Sequence, residues 1–126
     1  MDYKTITRSL YLKQHSRISD NDKTFNRIFG IYKDQNYGLG DKWFKNKIVL
    51  DAGCGNFGAL TVRLSKLGCH SVYACDLGKK WIKPMRKSLK KRGVNLKNIK
   101  LKDGDILKLN YPKNFFDFVA NNGVLP

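Results

Sequence analysis

Apolar residues recur along this chain in two rhythms. Short unbroken runs bounded by glycine, proline or acidic residues read as buried strands. Four such runs occur, at Lys47–Leu50, Val72–Asp76, Ile99–Lys102 and Phe115–Ala120. Between them the spacing lengthens to the helical period. Ala59–Leu64 reads as a helix after the first strand, and Trp81, Ile82, Met85 and Leu89 line one face of a second. Pro84 has no backbone N–H to donate, so that second helix should start close to it. Upstream, Tyr3–Gln14 has weak helical spacing. Asp20-Asn21-Asp22 can cap a helix through Phe25, Ile28, Phe29 and Tyr32, and Gln35–Asp41 reads as a loop. The chain thus divides into a helical extension, 1–46, and an alternating strand–helix domain, 47–126.

The first strand runs into Asp51-Ala-Gly53-Cys54-Gly55-Asn-Phe57-Gly58 and then directly into a helix. Strand, glycine turn and helix form the opening unit of a nucleotide-binding α/β domain. Glycine lets the backbone turn tightly and approach a ligand. The glycine spacing also fits a dinucleotide fingerprint, and Asp51 separates the two. A pyrophosphate on the helix N-terminus would meet that carboxylate. Two like charges about 4 Å apart repel by roughly 4 kcal/mol at an effective dielectric near 20. A cationic ligand without phosphate is favoured instead, and S-adenosylmethionine is one. An NAD-dependent oxidoreductase is the less favoured alternative.

The later strands end in further carboxylates. Asp76 lies 18 residues beyond Gly58, near the offset at which an acid reaches ribose hydroxyls, and it can accept from both. Asp105 is placed to accept from an adenine amino group, and Ile106 to cover the ring.

With these residues in place, the chain resembles the N-terminal half of a class I S-adenosylmethionine-dependent methyltransferase. Val49–Gly55 matches that family's first motif, Tyr73–Leu77 its second-strand acid and Gly104-Asp105-Ile106 its adenine contact. Leu109–Val119 matches the loop and fourth strand of the branch that holds many small-molecule methyltransferases. Phe57 stands where the family has glycine, with Gly58 one residue later. The resemblance implies a Rossmann-like αβα sandwich with parallel strands in the order 3-2-1-4 and helices on both faces. It implies a cofactor site of Asp51, Gly53, Cys54, Gly55, Asp76, Leu77, Asp105, Ile106 and Asn121. It also implies that the N-terminal helices form a lid, with Tyr11, Tyr32 and Tyr37 as substrate contacts. Methyl transfer would be direct displacement at the sulfonium methyl, and no residue stands out as a base. The family's sheet is larger, so the chain reads as a fragment with Phe116, Phe118 and Val119 under-covered on an open edge.

Charge adds a second acceptor class. Lys and Arg total 25 against 10 acids, a formal charge of +15. That balance raises RNA as a partner, either as acceptor or as the ligand of a non-catalytic binding module. Lys79–Arg92 is the densest basic run and the candidate phosphate-binding stripe. A small-molecule acceptor is the main expectation. Asn121-Asn122 is not the motif of amino-directed DNA methyltransferases. Cys54, Cys69 and Cys75 form no C-x-x-C pair, and His15 and His70 have no partners at metal spacing. The polar N-terminus lacks an apolar signal core and no run reaches membrane-spanning length, so the expected location is cytoplasmic.

Overall fold

A computed structural model describes residues 22–32, 37–55 and 58–121 of the chain. The elements are α1 (Asp22–Tyr32), a 3-10 turn (Asp41–Phe44), β1 (Ile48–Ala52), α2 (Ala59–Lys66), β2 (Ser71–Asp76) and α3 (Ile82–Lys91). A second 3-10 turn (Leu96–Asn98), β3 (Ile99–Asp103), a third (Ile106–Lys108) and β4 (Phe118–Asn121) complete the chain order. The expected helix within 3–14, Tyr11, Phe57 and Asn122 lie outside the described residues. Side-chain positions at Ile28 and Tyr32 are likewise outside them.

The four strands form one parallel sheet in the order β3-β2-β1-β4, as the resemblance implies. Residue alternation sorts the side chains. Val49, Val72, Ile99 and Ala120 face one side, where they meet Leu60, Val62 and Leu64 of α2 and Met85 and Leu89 of α3. Leu50, Ala52 and Cys75 face the other side. Strands covered on both faces read as apolar runs, which is why β1 and β2 stand out in the sequence.

Helix α1 joins the first face. Phe25 is buried in the same core, stacks on Phe29 with ring centroids 5.4 Å apart, and carries the Arg92 guanidinium 3.6 Å above its ring. Pro84 falls in the first turn of α3, where its missing N–H costs nothing.

Three details depart from the pattern reading. First, among the described residues the α-helices all pack on one face, and the other face carries the turn at Ile106 with Leu109 and Phe116. Second, β4 begins at Phe118 rather than at Phe115. Phe115, Phe116 and Tyr111 turn onto Tyr73 instead, with centroids 5.4–5.6 Å away. Third, Phe118 is not under-covered, because Tyr37, Trp43 and Phe44 surround it at 5.0–6.2 Å. Tyr37, expected against substrate, is part of that cluster. Val119 does remain 54% exposed on this edge strand.

Asp117 starts β4 by a reciprocal pair of bonds. The Ile48 N–H donates to its carboxylate at 2.8 Å, and its own N–H donates to the Ile48 carbonyl at 2.8 Å. Asp117→Ala should lower the unfolding free energy by about 1 kcal/mol, and Asp117→Asn, which keeps an acceptor, by less. Urea midpoints of the two variants check this. Equal losses would show that the charge, not the acceptor, matters.

Candidate functional site

The strand register sets the C-terminal ends of β1, β2 and β3 side by side. Ala52 pairs with Cys75 and with Asn121, and Asp76 pairs with Asp103. The glycine turn folds over this edge. Gly53 and Gly55 adopt φ of +80° and +68°, in the left-handed region that glycine enters at little cost. The N–H groups of Gly53 and Cys54 both donate to the Cys75 carbonyl, at 2.8 and 3.0 Å. The turn is therefore anchored to β2 by its backbone.

Asp76 is the hub. One carboxylate oxygen accepts from the Gly55 N–H at 2.6 Å and the other from the Leu77 N–H at 2.7 Å. Its carbonyl accepts from the Gly104 N–H at 2.9 Å and from the Trp81 indole at 3.1 Å. One residue thus ties together the glycine turn, the start of α3 and the loop after β3. Asp76 is only 2% exposed.

Asp51 sits differently from the sequence expectation. It lies inside β1, which continues to Ala52, and its side chain is turned beneath α2. There the Thr61 hydroxyl donates to its carboxylate at 2.8 Å. Asp51 is 3% exposed. Burial pushes its carboxyl up from an ordinary 3.8 to about 7; the Thr61 bond opposes this and the charge of Asp76 adds to it. The site therefore holds two buried acids near enough to feel each other. Burial also raises the thiols of Cys54 and, to about 11, of Cys75, so both are protonated small apolar groups.

The remaining expected residues divide. Leu77 touches the hub through its N–H. Asp105 caps the turn Ile106–Lys108, accepting from the Leu107 N–H at 2.9 Å, while Ile106 packs toward Leu50, Ala52 and Cys75. Asn121 ends β4 on the opposite side of β1 from Asp76. Gly58 serves packing. Its φ is +74°, and a Cβ there would run into the buried Met85 sulfur, so α2 can start only this close to α3 without a side chain. Pattern reading missed Thr61 and Trp81. The signal for Thr61 was available, since it is the one uncharged polar residue within Ala59–Leu64.

The fold and the acid-flanked glycine turn define a Rossmann-like cofactor domain of the class I methyltransferase type. The sequence pattern of the methyltransferase domain family matches residues 49–126, and the chain belongs to that family. It is 39% identical over 61 residues to the ribosomal protein L11 methyltransferase of Caldanaerobacter subterraneus subsp. tengcongensis, covering 48% of this chain and 19% of that protein. Among solved structures it resembles a dimethyladenosine transferase from Plasmodium falciparum, with 29% identity and a TM-score of 0.51, covering 81% of this chain and 32% of the other. It also resembles the Trypanosoma brucei PRMT1 enzyme–prozyme complex with AdoHcy, with 26% identity and a TM-score of 0.52 over 63% of this chain and 24% of that one. The chain spans between a fifth and a third of the length of these relatives. No helix among the described residues is long and apolar enough to cross a membrane.

Proposed function

We propose that this chain is the cofactor-binding part of an S-adenosylmethionine-dependent methyltransferase. The observation that carries the reading is the pair of buried acids, Asp51 and Asp76, on either side of the glycine turn. Burial chiefly, and the charge of Asp76 in addition, push the Asp51 carboxyl up to about 7, and two acids set beside one turn make a site that favours positive charge. Such a site repels a pyrophosphate and attracts a cation, so the donor set fits an S-adenosyl ligand better than a dinucleotide. Asp76 would accept from the ribose hydroxyls, Asp51 would hold its charge opposite the cationic end, and Asp105 with Ile106 would flank the adenine. Gly53, Cys54, Gly55 and Leu77 supply the backbone walls, and Asn121 the end of β4. When bound, the cofactor supplies an electrophilic sulfonium methyl. The chain's own contribution is to position it and keep water away.

The resemblance of Leu109–Val119 supports a small-molecule acceptor, in a cytoplasmic setting that suits three unpaired thiols. One observation favours RNA as a second acceptor class, namely the basic surface treated below. Calorimetry against S-adenosylmethionine, S-adenosylhomocysteine and NAD tests the main reading. Binding of both S-adenosyl compounds without NAD is the expected result. Tight NAD binding alone would replace this reading with a dinucleotide-dependent one.

A further inference from the structure

Between Asp76 and Asp103 the chain has no acidic residue, while it carries eleven Lys and Arg over residues 77–102. The structure sorts these cations. Met85, Ser88 and Leu89 turn α3 inward, and Lys83, Arg86, Lys87 and Lys90 occupy its exposed outer face. Lys79 and Lys80, also exposed, lie in the short segment between the end of β2 at Asp76 and the start of α3. On a helix, positions three or four apart stand about 5–6 Å from each other. The result is a row of charges along one rigid element, comparable in spacing to successive phosphates on a strand.

Five described acids are committed away from α3, and Asp103 stands at the end of β3 beside Asp76. Asp41 pairs with Arg63 at 3.2 Å, Asp51 and Asp76 are buried, Asp105 caps a turn, and Asp117 binds Ile48. None lies on α3. A membrane-binding face would combine its cations with exposed large apolar residues. Among the described residues the exposed ones are Leu107, 67% exposed, and Val119, and neither belongs to α3.

We propose that the outer face of α3, through Lys83, Arg86, Lys87 and Lys90, docks the phosphate backbone of a nucleic acid beside the cofactor site. The face offers no aromatic ring for base stacking, so recognition is electrostatic and independent of base sequence. The docking does not require that methyl transfer be correct. If both hold, the bound nucleic acid carries the acceptor.

Fluorescence anisotropy with labelled RNA and DNA duplexes of one mixed sequence, across roughly 50–200 mM salt, tests the idea. The variant with Lys83→Glu, Arg86→Glu, Lys87→Glu and Lys90→Glu should bind on the order of 100-fold more weakly at low salt. Its slope of log affinity against log salt should be shallower by about 3. A control with Lys23→Glu, Lys42→Glu, Lys45→Glu and Lys113→Glu has the same net charge and should keep the parent slope. The milder glutamine versions of the first set serve if the reversed chain does not fold. Tighter binding of the RNA duplex than the DNA duplex assigns the backbone to RNA, and the reverse to DNA. Equal weakening by both sets would overturn the proposal, leaving only net charge. Preference for phosphatidylserine vesicles over either duplex, lost with the α3 variant, would overturn it in favour of a membrane. Failure of S-adenosylhomocysteine binding with duplex binding intact would remove the methyl-transfer reading and leave this one standing.

Discussion

Replacing Asp51 by asparagine should make the unliganded domain more stable at neutral and alkaline pH while weakening cofactor binding. The native carboxyl has its folded value pushed up to about 7 from 3.8, chiefly by burial beneath α2. Below pH 3.8 both folded and unfolded chains hold the proton, and no stability is lost through this group. As pH rises from there to about 7, the unfolded chain releases the proton first, so stability falls. The full cost, at most about 4 kcal/mol, is present above that window. Asparagine still accepts from the Thr61 hydroxyl but cannot ionise. Urea unfolding at a series of pH values should therefore show the loss through this window in the native chain and not in Asp51→Asn. The same substitution removes the negative charge that attracts a cationic ligand, so calorimetry at pH 8 should show weaker S-adenosylmethionine binding. A variant with the native pH slope would show that the Asp51 carboxyl is not the titrating group. A stabilised variant with unchanged affinity would make Asp51 a structural residue alone.

Asp76→Ala should weaken S-adenosylhomocysteine binding by about 1.5–3 kcal/mol, the range for hydrogen bonds to a charged group. That is roughly a 10- to 150-fold loss of affinity. In the unliganded protein the same carboxylate holds the Gly55 and Leu77 N–H groups. Hydrogen exchange at those two amides should accelerate in the variant. Because the charge of Asp76 helps to raise Asp51, the pH window of stability loss should also move down toward the ordinary carboxyl range. Faster exchange with unchanged affinity in a folded variant would mean that Asp76 closes the turn and does not meet the ribose.

The readable parts of this fold are those governed by neighbours in the chain. β1 and β2 announce themselves because both faces are covered, leaving Val49-Leu50 and Val72 through Cys75 without a solvent-facing polar position. The turn is readable because Gly53 and Gly55 need positive φ. Phe115–Ala120 misled because an aromatic run can satisfy its apolar surface in two ways. Here Phe115 and Phe116 pack on Tyr73 and Tyr111, and the ladder begins only where Asp117 meets Ile48. Which side of the sheet receives α1, α2 and α3 was likewise hidden, because periodicity says that a helix has an apolar face and not where it packs.

From the sequence alone came the alternating order of elements, the glycine turn and the acids near successive strand ends. Each depends on backbone constraints and alternation within a few residues. Tertiary structure alone decided what those acids are. Asp51 became a buried acceptor for the Thr61 hydroxyl, and Asp76 a clasp on Gly55. It also covered Phe118 with Tyr37, Trp43 and Phe44, and turned the cations of α3 outward together. Burial and the field of neighbouring charges set those outcomes, and both come from groups brought close by folding rather than by position along the chain.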